Sequence, residues 1–134
     1  MDSPPAWNEL VAALRTELQE HGGLMRLLNQ QTQALYRSDR ADNTRLEEQI
    51  RRQIRLAIRC RQGRETLLRQ RAAELALGEE ASFETILAHF PGYVQALLEA
   101  LYTEVEALNG RFVERLRHNQ QLKEYFLTEI TPCS

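Results

Sequence analysis

The residues able to do chemistry are few and scattered. Three histidines (His21, His89, His118) and two cysteines (Cys60, Cys133) occur in 134 residues. A metal centre needs several such groups converging at ligand spacing, and no H-x-x-x-H or C-x-x-C pair is present. Nucleophilic or phosphoryl chemistry would need a G-x-S-x-G elbow, a Gly-rich phosphate loop or a paired D-x-D, and none occurs. The Glu-x-x-His motif by which helical bundles hold di-iron sites is also missing. No catalytic residue, metal site, cofactor or enzymatic activity is expected. His21 falls on an apolar helical stripe and should pack at a core edge. Two cysteines cannot make a disulfide framework, so reduced thiols are the default.

Arginine is the one concentrated chemical group. Residues 45–71 hold nine Arg against three Glu, whereas residues 72–110 hold seven Glu and no Lys or Arg. Such an Arg-rich segment could neutralise phosphates and bind nucleic acid in a steeply salt-dependent way. The stretch from Arg37 to Ser82 has no aromatic residue, so bases would find no stacking platform. Glu47 with Arg51, Glu48 with Arg52, and Glu65 with Arg69 are favourable i,i+4 pairs. A solvated face, partly paired with the acidic stretch 74–106, is therefore expected rather than a nucleic-acid partner. The net charge is −2. No apolar run approaches the roughly 20 residues needed to cross a bilayer, and no basic segment leads into an apolar run as in a secretory leader. A cytoplasmic chain without membrane insertion is expected.

The elements that must position these groups are long helices. Trp7, Val11, Leu14, Leu18, His21, Met25, Leu28, Thr32 and Leu35 alternate steps of four and three, the pattern of a helix burying a narrow stripe. This first helix should run over about 5–37, with Asp2 or Ser3 as its cap. Gly22-Gly23 in its middle either bends it or is held straight by packing. Ser38 to Asp42 reads as a tight connection. Thr44 with Glu47 fits a capping box that starts a second helix over 43–77, with Gly78 ending it. Its stripe is Leu46, Ile50, Ile54, Ala57/Ile58, Leu68, Ala72 and Leu75, with a polar middle near Arg61–Arg64. Ser82 caps a short helix over 83–90, which Pro91-Gly92 ends, and a last helix spans 93–130. Residues 1–134 form a single all-α domain, an elongated antiparallel bundle of three long helices with a short extra helix before the last.

The last helix carries more apolar surface than one stripe needs. Its stripe is Val94, Leu97, Leu101, Val105, Leu108, Phe112, Leu116, Asn119, Leu122, Phe126 and Ile130. Tyr93, Leu98, Tyr102, Val113, Tyr125 and Leu127 spill over both edges. Six of the eight Phe and Tyr lie between residues 90 and 126. A wide apolar face with aromatic anchors suits a groove for an amphipathic partner helix. Equally, the element 83–90 or a second copy of the chain would cover the same surplus. Asn119, a polar residue on the stripe, either fixes register or faces solvent.

Leu24-Met25-Arg26-Leu27-Leu28, then Thr32-Gln33-Ala34-Leu35 and Ser38-Asp39, resemble the first helix and turn of FlgN-type flagellar export chaperones. Leu46-Glu47-Glu48 resembles the start of that family's second helix. Phe90-Pro91, Leu97-Leu98, Leu108-Asn109 and Arg117-His118-Asn119 with Leu122 resemble its later elements. The likeness spans most of residues 10–128, with departures at Gln31, at Gln49 to Arg52 and at Gln120. It implies a chaperone of type III flagellar export that binds the C-terminal helices of the hook–filament junction proteins and delivers them to the export-gate membrane protein. The partner-binding residues it implies are Leu101, Val105, Leu108, Phe112, Leu116, Asn119, Leu122, Tyr125 and Phe126, on the last helix. Residues 79–92 would serve as a hinge, and Tyr36 and Tyr125 as candidate gate contacts. The rival reading is a structural coiled-coil adaptor whose surplus closes a homodimer.

Overall fold

Residues 6–78 and 80–128 are described by a computed structural model of the chain. The cap expected at Asp2 or Ser3, the stripe residue Ile130, Cys133 and Glu79 of the expected hinge lie outside the described residues. Those residues contain no strand. They form α1 (Ala6–Tyr36), α2 (Arg40–Glu74), α3 (Phe83–Leu87) and α4 (Gly92–Lys123), which continues into a π-helical turn, Glu124–Thr128. At 1.5 Å per residue the long helices measure about 46–53 Å. No helix among the described residues is long and apolar enough to cross a membrane.

The connection between α1 and α2 is tighter than expected. Ser38 takes a left-handed conformation, φ 54°. Its amide donates to the Leu35 carbonyl and the Asp39 amide to that of Ala34, both at 3.0 Å. That pair of bonds is a Schellman ending. Asp39 then caps α2 by accepting from the Asp42 amide at 3.0 Å. The second helix thus starts at Arg40, three residues before the expected Asn43, because Asp39 caps it in place of Thr44, whose hydroxyl bonds back to the Arg40 carbonyl. At its other end α2 stops at Glu74 rather than Leu77. Ala76 (φ 58°), not Gly78, is the left-handed residue, and Leu77 donates to Ala72 at 2.8 Å.

Ser82 caps α3 as expected, accepting from the Thr85 amide at 3.1 Å. That helix ends at Leu87, three residues short of the expected Phe90, and Phe83, Ile86 and Leu87 are buried. The last helix ends its α-helical part at Lys123, where the π-helical turn begins.

α1 is the shared element, packed along both α2 and α4. Its partners on α2 run in the opposite sense: Glu9 meets Arg71, Glu17 meets Arg64, Glu20 meets Gln53 and Gln31 meets Asn43. Along α4 they run in the same sense, from Trp7 with Tyr93 through His21 with Phe112 to Thr32 with Asn119. α1 continues unbroken through Gly22-Gly23. Gly23 lets the Gln53 side chain within 3.2 Å of where a Cβ would stand. From there Gln53 donates to the Glu20 carbonyl at 2.9 Å.

The centre of α1 is not the expected row. Leu10, Leu14, Glu17, His21, Leu24, Leu28, Gln31 and Leu35 are the buried series, while Trp7, Val11, Leu18 and Met25 are half-buried. A helix with two neighbours buries a wider arc, and its deepest line here includes three polar residues, Glu17, His21 and Gln31. Two apolar clusters result. One joins Leu10 and Leu14 to Phe83, Leu87, Val94, Leu98 and Val105. The other joins Leu24, Leu28 and Ala34 to Leu46 and Ile50. Glu17 and His21 lie between them on α1.

Candidate partner-helix interface

The expected partner-binding residues divide by burial. Val105 and Asn119 are buried; Leu101, Leu108, Phe112, Leu116, Leu122 and Phe126 are half-buried; Tyr125 is 62% exposed. Leu101 and Val105 pack in the first apolar cluster, and Phe112 and Leu116 pack against the second. Most of this stripe is therefore engaged with the chain's own core, and an incoming helix meets it only by displacing those contacts. The spill-over is redistributed as well. Leu97, expected inside, is 40% exposed, and Leu98, expected at the edge, is fully buried. Tyr93, Val113 and Tyr125 remain exposed on α4 and its π-helical turn, as do Tyr36 on α1 and Leu56 and Ile58 on α2.

Asn119 is the centre of a polar layer linking all three long helices. Its Nδ2 donates to the Leu28 carbonyl and to Gln31 Oε1, each at 2.9 Å. The Thr32 hydroxyl donates to its Oδ1 at 2.7 Å, and Gln31 donates to Asn43 at 3.1 Å. Nearby, Lys123 bonds Glu47 at 2.7 Å, and Arg40 donates to the Leu127 carbonyl. Glu47 therefore pairs with α4 rather than with Arg51. Glu65 likewise takes Arg61 at 3.1 Å instead of Arg69, while Glu48 takes both Arg51 and Arg52. The Arg51 hydrogen bond and charge hold the Glu48 carboxyl below the usual range.

Glu17 and Arg64 form a buried, bidentate ion pair at 2.7 and 3.1 Å. Their side chains are 1% and 5% exposed. Glu106 approaches Arg64 at 3.8 Å, and the guanidinium lies 5.1 Å from the Tyr102 ring centroid. Tyr102 in turn stacks on Phe83 at 4.1 Å. Burial alone would lower the Arg64 pKa, but the Glu17 hydrogen bonds and charge leave it raised. Beside this pair His21 is 3% exposed and meets Phe112 edge-on at 5.1 Å. Its pKa is lowered, chiefly by burial and against the pull of Glu17. Its Nδ1 has no hydrogen-bond partner. Sequence reasoning missed Glu17 and treated Arg64 as part of a weak polar stretch. The available signal was that Leu10, Leu14, Glu17, His21 and Leu24 repeat at four and three, with Glu17 opposite an Arg on the antiparallel neighbour.

Among the described residues no group of three or more His, Cys, Asp or Glu gathers as a metal site. Cys60 is half-buried, and burial followed by the charges of Glu20 and Glu17 pushes its thiol pKa up. A raised pKa keeps it protonated and poorly nucleophilic at neutral pH. Tyr93, Leu97, Val113, Ile58 and Leu56 are large apolar side chains that stay exposed outside the core. No protein-family model, curated protein or solved structure matches this chain.

Proposed function

We propose that the chain is a cytoplasmic chaperone of type III flagellar export, with no enzymatic activity. It binds the C-terminal helical segments of hook–filament junction proteins and delivers them to the export-gate membrane protein. The observation that supports this reading is the apolar α4, which packs with one side on α1 and keeps Tyr93, Leu97 and Val113 outside. In this reading the three long helices form an elongated antiparallel bundle with α3 before the last. The cargo terminus, apolar and unpaired in isolation, orders against Leu101, Val105, Leu108, Phe112, Leu116, Asn119, Leu122 and Phe126 by exchanging for contacts that α1 now makes. Residues 80–92 act as the hinge of that exchange. Tyr36 and Tyr125, both exposed, are the gate-contact candidates.

Affinity capture from the native cells tests the assignment, with near-stoichiometric recovery of one or two secreted filament-type proteins expected. Leu108→Asp or Phe112→Asp should abolish that recovery. Full capture by either variant, still helical by circular dichroism, removes the α4 groove from the reading.

A structural adaptor forming a homo-oligomer is the second reading. What favours it is a shallow groove of about 520 Å³ on the α1–α2 side, lined by Ala12, Ala13, Thr16, Cys60, Gly63 and Leu67 among others. Leu56 lies one turn before Cys60 and is exposed. Such small residues allow close approach of a second helix. A stable oligomer at nanomolar concentration in sedimentation experiments, with no cargo captured, would favour this reading.

A further inference from the structure

α2 and α4 both lie on α1 but leave a seam between them. The side-chain ion pairs that bridge these two helices among the described residues are Glu47–Lys123 near one end and Arg64–Glu106 further along. Beyond Arg64, α3 packs beside α2 and stacks Phe83 on Tyr102. Between those two bridges the seam is open. There Ile54, Ala57, Ile58 and Arg61 of α2 face Asn109 and Phe112 of α4 across a cavity of about 100 Å³. His21 and Leu24 of α1 also line this cavity. Ile58 is 49% exposed, and Val113, one turn on from Asn109, is 45% exposed. Gly110 on the same stretch has open space around it.

We propose that this open stretch is a docking site for an amphipathic helix of a protein partner. That helix carries acidic residues on its flanks and inserts one hydroxyl- or carboxamide-tipped side chain toward His21. The proposal rests on the function above only in taking a protein helix as the occupant, and it adds the seat and the chemistry.

Three observations select this occupant. α3 already fills the continuation of the seam, burying Phe83, Ile86 and Leu87, so an amphipathic helix with bulky apolar residues is what the seam receives within the chain itself. The α2 wall is basic: Arg61 lines the cavity, and residues 51–61 hold five Arg and no Asp or Glu, while Arg64 is taken up by Glu17. Acidic flanks complement that wall and basic flanks are repelled by it. A second copy docked symmetrically through the same seam would bring two such Arg-rich helices together, because an isologous interface pairs a patch with itself. The third observation is the imidazole. A buried Nδ1 without a partner is costly to leave unsatisfied, and the cavity it borders is the place from which an inserted polar side chain reaches the ring.

The test uses the full chain and a fluorescein-labelled designed helix of about five turns. The helix has a Leu/Phe stripe, Ser at its central core position and Glu on both flanks. Two sister peptides carry Lys on the flanks, or Ala in place of Ser. By anisotropy the Glu-flanked peptide should bind at least tenfold more tightly than the Lys-flanked one, and Ser→Ala should weaken it about tenfold. The His21 ring nitrogens should shift in NMR spectra on binding the Ser peptide. Ile58→Asp and Val113→Asp, both at exposed positions that leave the fold intact, should each weaken binding tenfold or more. Equal affinity for Glu and Lys flanks, or affinity unchanged by both Asp substitutions, overturns the proposal. So does a homodimer that Ile58→Asp dissolves and the peptide leaves intact. Because the probe is not a junction protein, failed cargo capture would remove the export reading without touching this result, and failed peptide binding would remove the seam without touching capture.

Discussion

Removing either half of the Glu17–Arg64 pair should be far more damaging than removing both. The two side chains are 1% and 5% exposed, and orphaning a buried charge costs roughly 3–5 kcal/mol. The two single losses should differ. After Glu17→Leu, Arg64 still has Glu106 at 3.8 Å and the Tyr102 ring at 5.1 Å, which places the cost at about 3 kcal/mol. After Arg64→Met, Glu17 keeps no cationic ion-pair partner among the described residues, and the cost moves towards about 5 kcal/mol. At about 2.1 cal/mol/K per residue, 134 residues unfold with an entropy of about 0.28 kcal/mol/K. The single variants should therefore melt about 11 and 18 °C below the parent. Glu17→Leu with Arg64→Met leaves no charge to desolvate and fills the site with apolar atoms. Replacements of this kind are commonly neutral or stabilising by about 1–4 kcal/mol. Urea unfolding of all four chains gives the coupling energy directly. Additive losses in the double variant, or single losses below about 1 kcal/mol as for an exposed pair, would refute the reasoning.

Acid should weaken the fold through His21. Its folded-state pKa lies below 6.5 because burial disfavours the charged ring, so the unfolded chain binds the proton first. The stability this gives is intact above pH 6.5 and is lost as pH falls from there towards the folded-state pKa, at up to about 1.4 kcal/mol per pH unit. Urea midpoints at pH 7.5, 6.5 and 5.5 should fall less steeply for His21→Leu than for the parent, and parallel slopes would exclude His21 as the cause. Ala76→Gly should stabilise by about 0.5–1 kcal/mol, since a left-handed φ of 58° strains Ala and not Gly. A lower melting temperature for that variant would contradict the strain assigned to left-handed Ala76. Asn119→Leu removes the donor to Gln31 Oε1 and to the Leu28 carbonyl and should cost about 1–3 kcal/mol by chemical denaturation, whereas a neutral result would mean that water replaces it.

The helical class and the approximate elements were legible because long 3.6-period patterns and turn residues are local properties. The boundaries were less so. Asp39 outcompetes Thr44 as a cap only because the α1 ending at Ser38 delivers it there, and Ala76 takes the place expected of Gly78 because tertiary packing outweighs a left-handed penalty of about 1–2 kcal/mol. The α1 register was misread for a related reason. An apolar count favours Trp7, Val11, Leu18 and Met25, yet the deepest line runs through Glu17 and Gln31, whose burial depends on Arg64 and Asn43 far away in sequence. Leu97 and Leu98 exchanged roles because two adjacent leucines leave the phase of a stripe undetermined. The polar middle of α2 and the odd Asn119 were visible as anomalies. Their partners were not, since each lies 47 or more positions away.

Those polar pairs choose one register among leucine stripes that would otherwise tolerate several. Sliding α2 by a heptad one way would set Glu17 opposite Ala57; the other way keeps an Arg (Arg71) opposite it but sets Gln31 opposite Ile50. Sliding α4 by a heptad would bring Phe112 or Phe126 against Gln31 and Thr32 and leave Gln31 Oε1 without its donor. Either slip leaves buried donors or acceptors unpaired, at about 1–3 kcal/mol each. In the paired register the His21 Nδ1 is the buried side-chain atom left in that state among the described residues. A polar residue in a helical core is best attested in this role, where it trades stability for a single arrangement. The trade matters for the docking proposed above, because the seam is shaped as it is while Ile54 and Ile58 face Asn109 and Phe112 at one phase. Removing the buried pair should then separate stability from specificity. Glu17→Leu with Arg64→Met, combined with Asn119→Leu and Gln31→Leu, should keep helicity while broadening amide resonances along α4 and weakening the Glu-flanked peptide. Sharp, parent-like spectra with undiminished peptide affinity would mean that the apolar contacts alone hold the register.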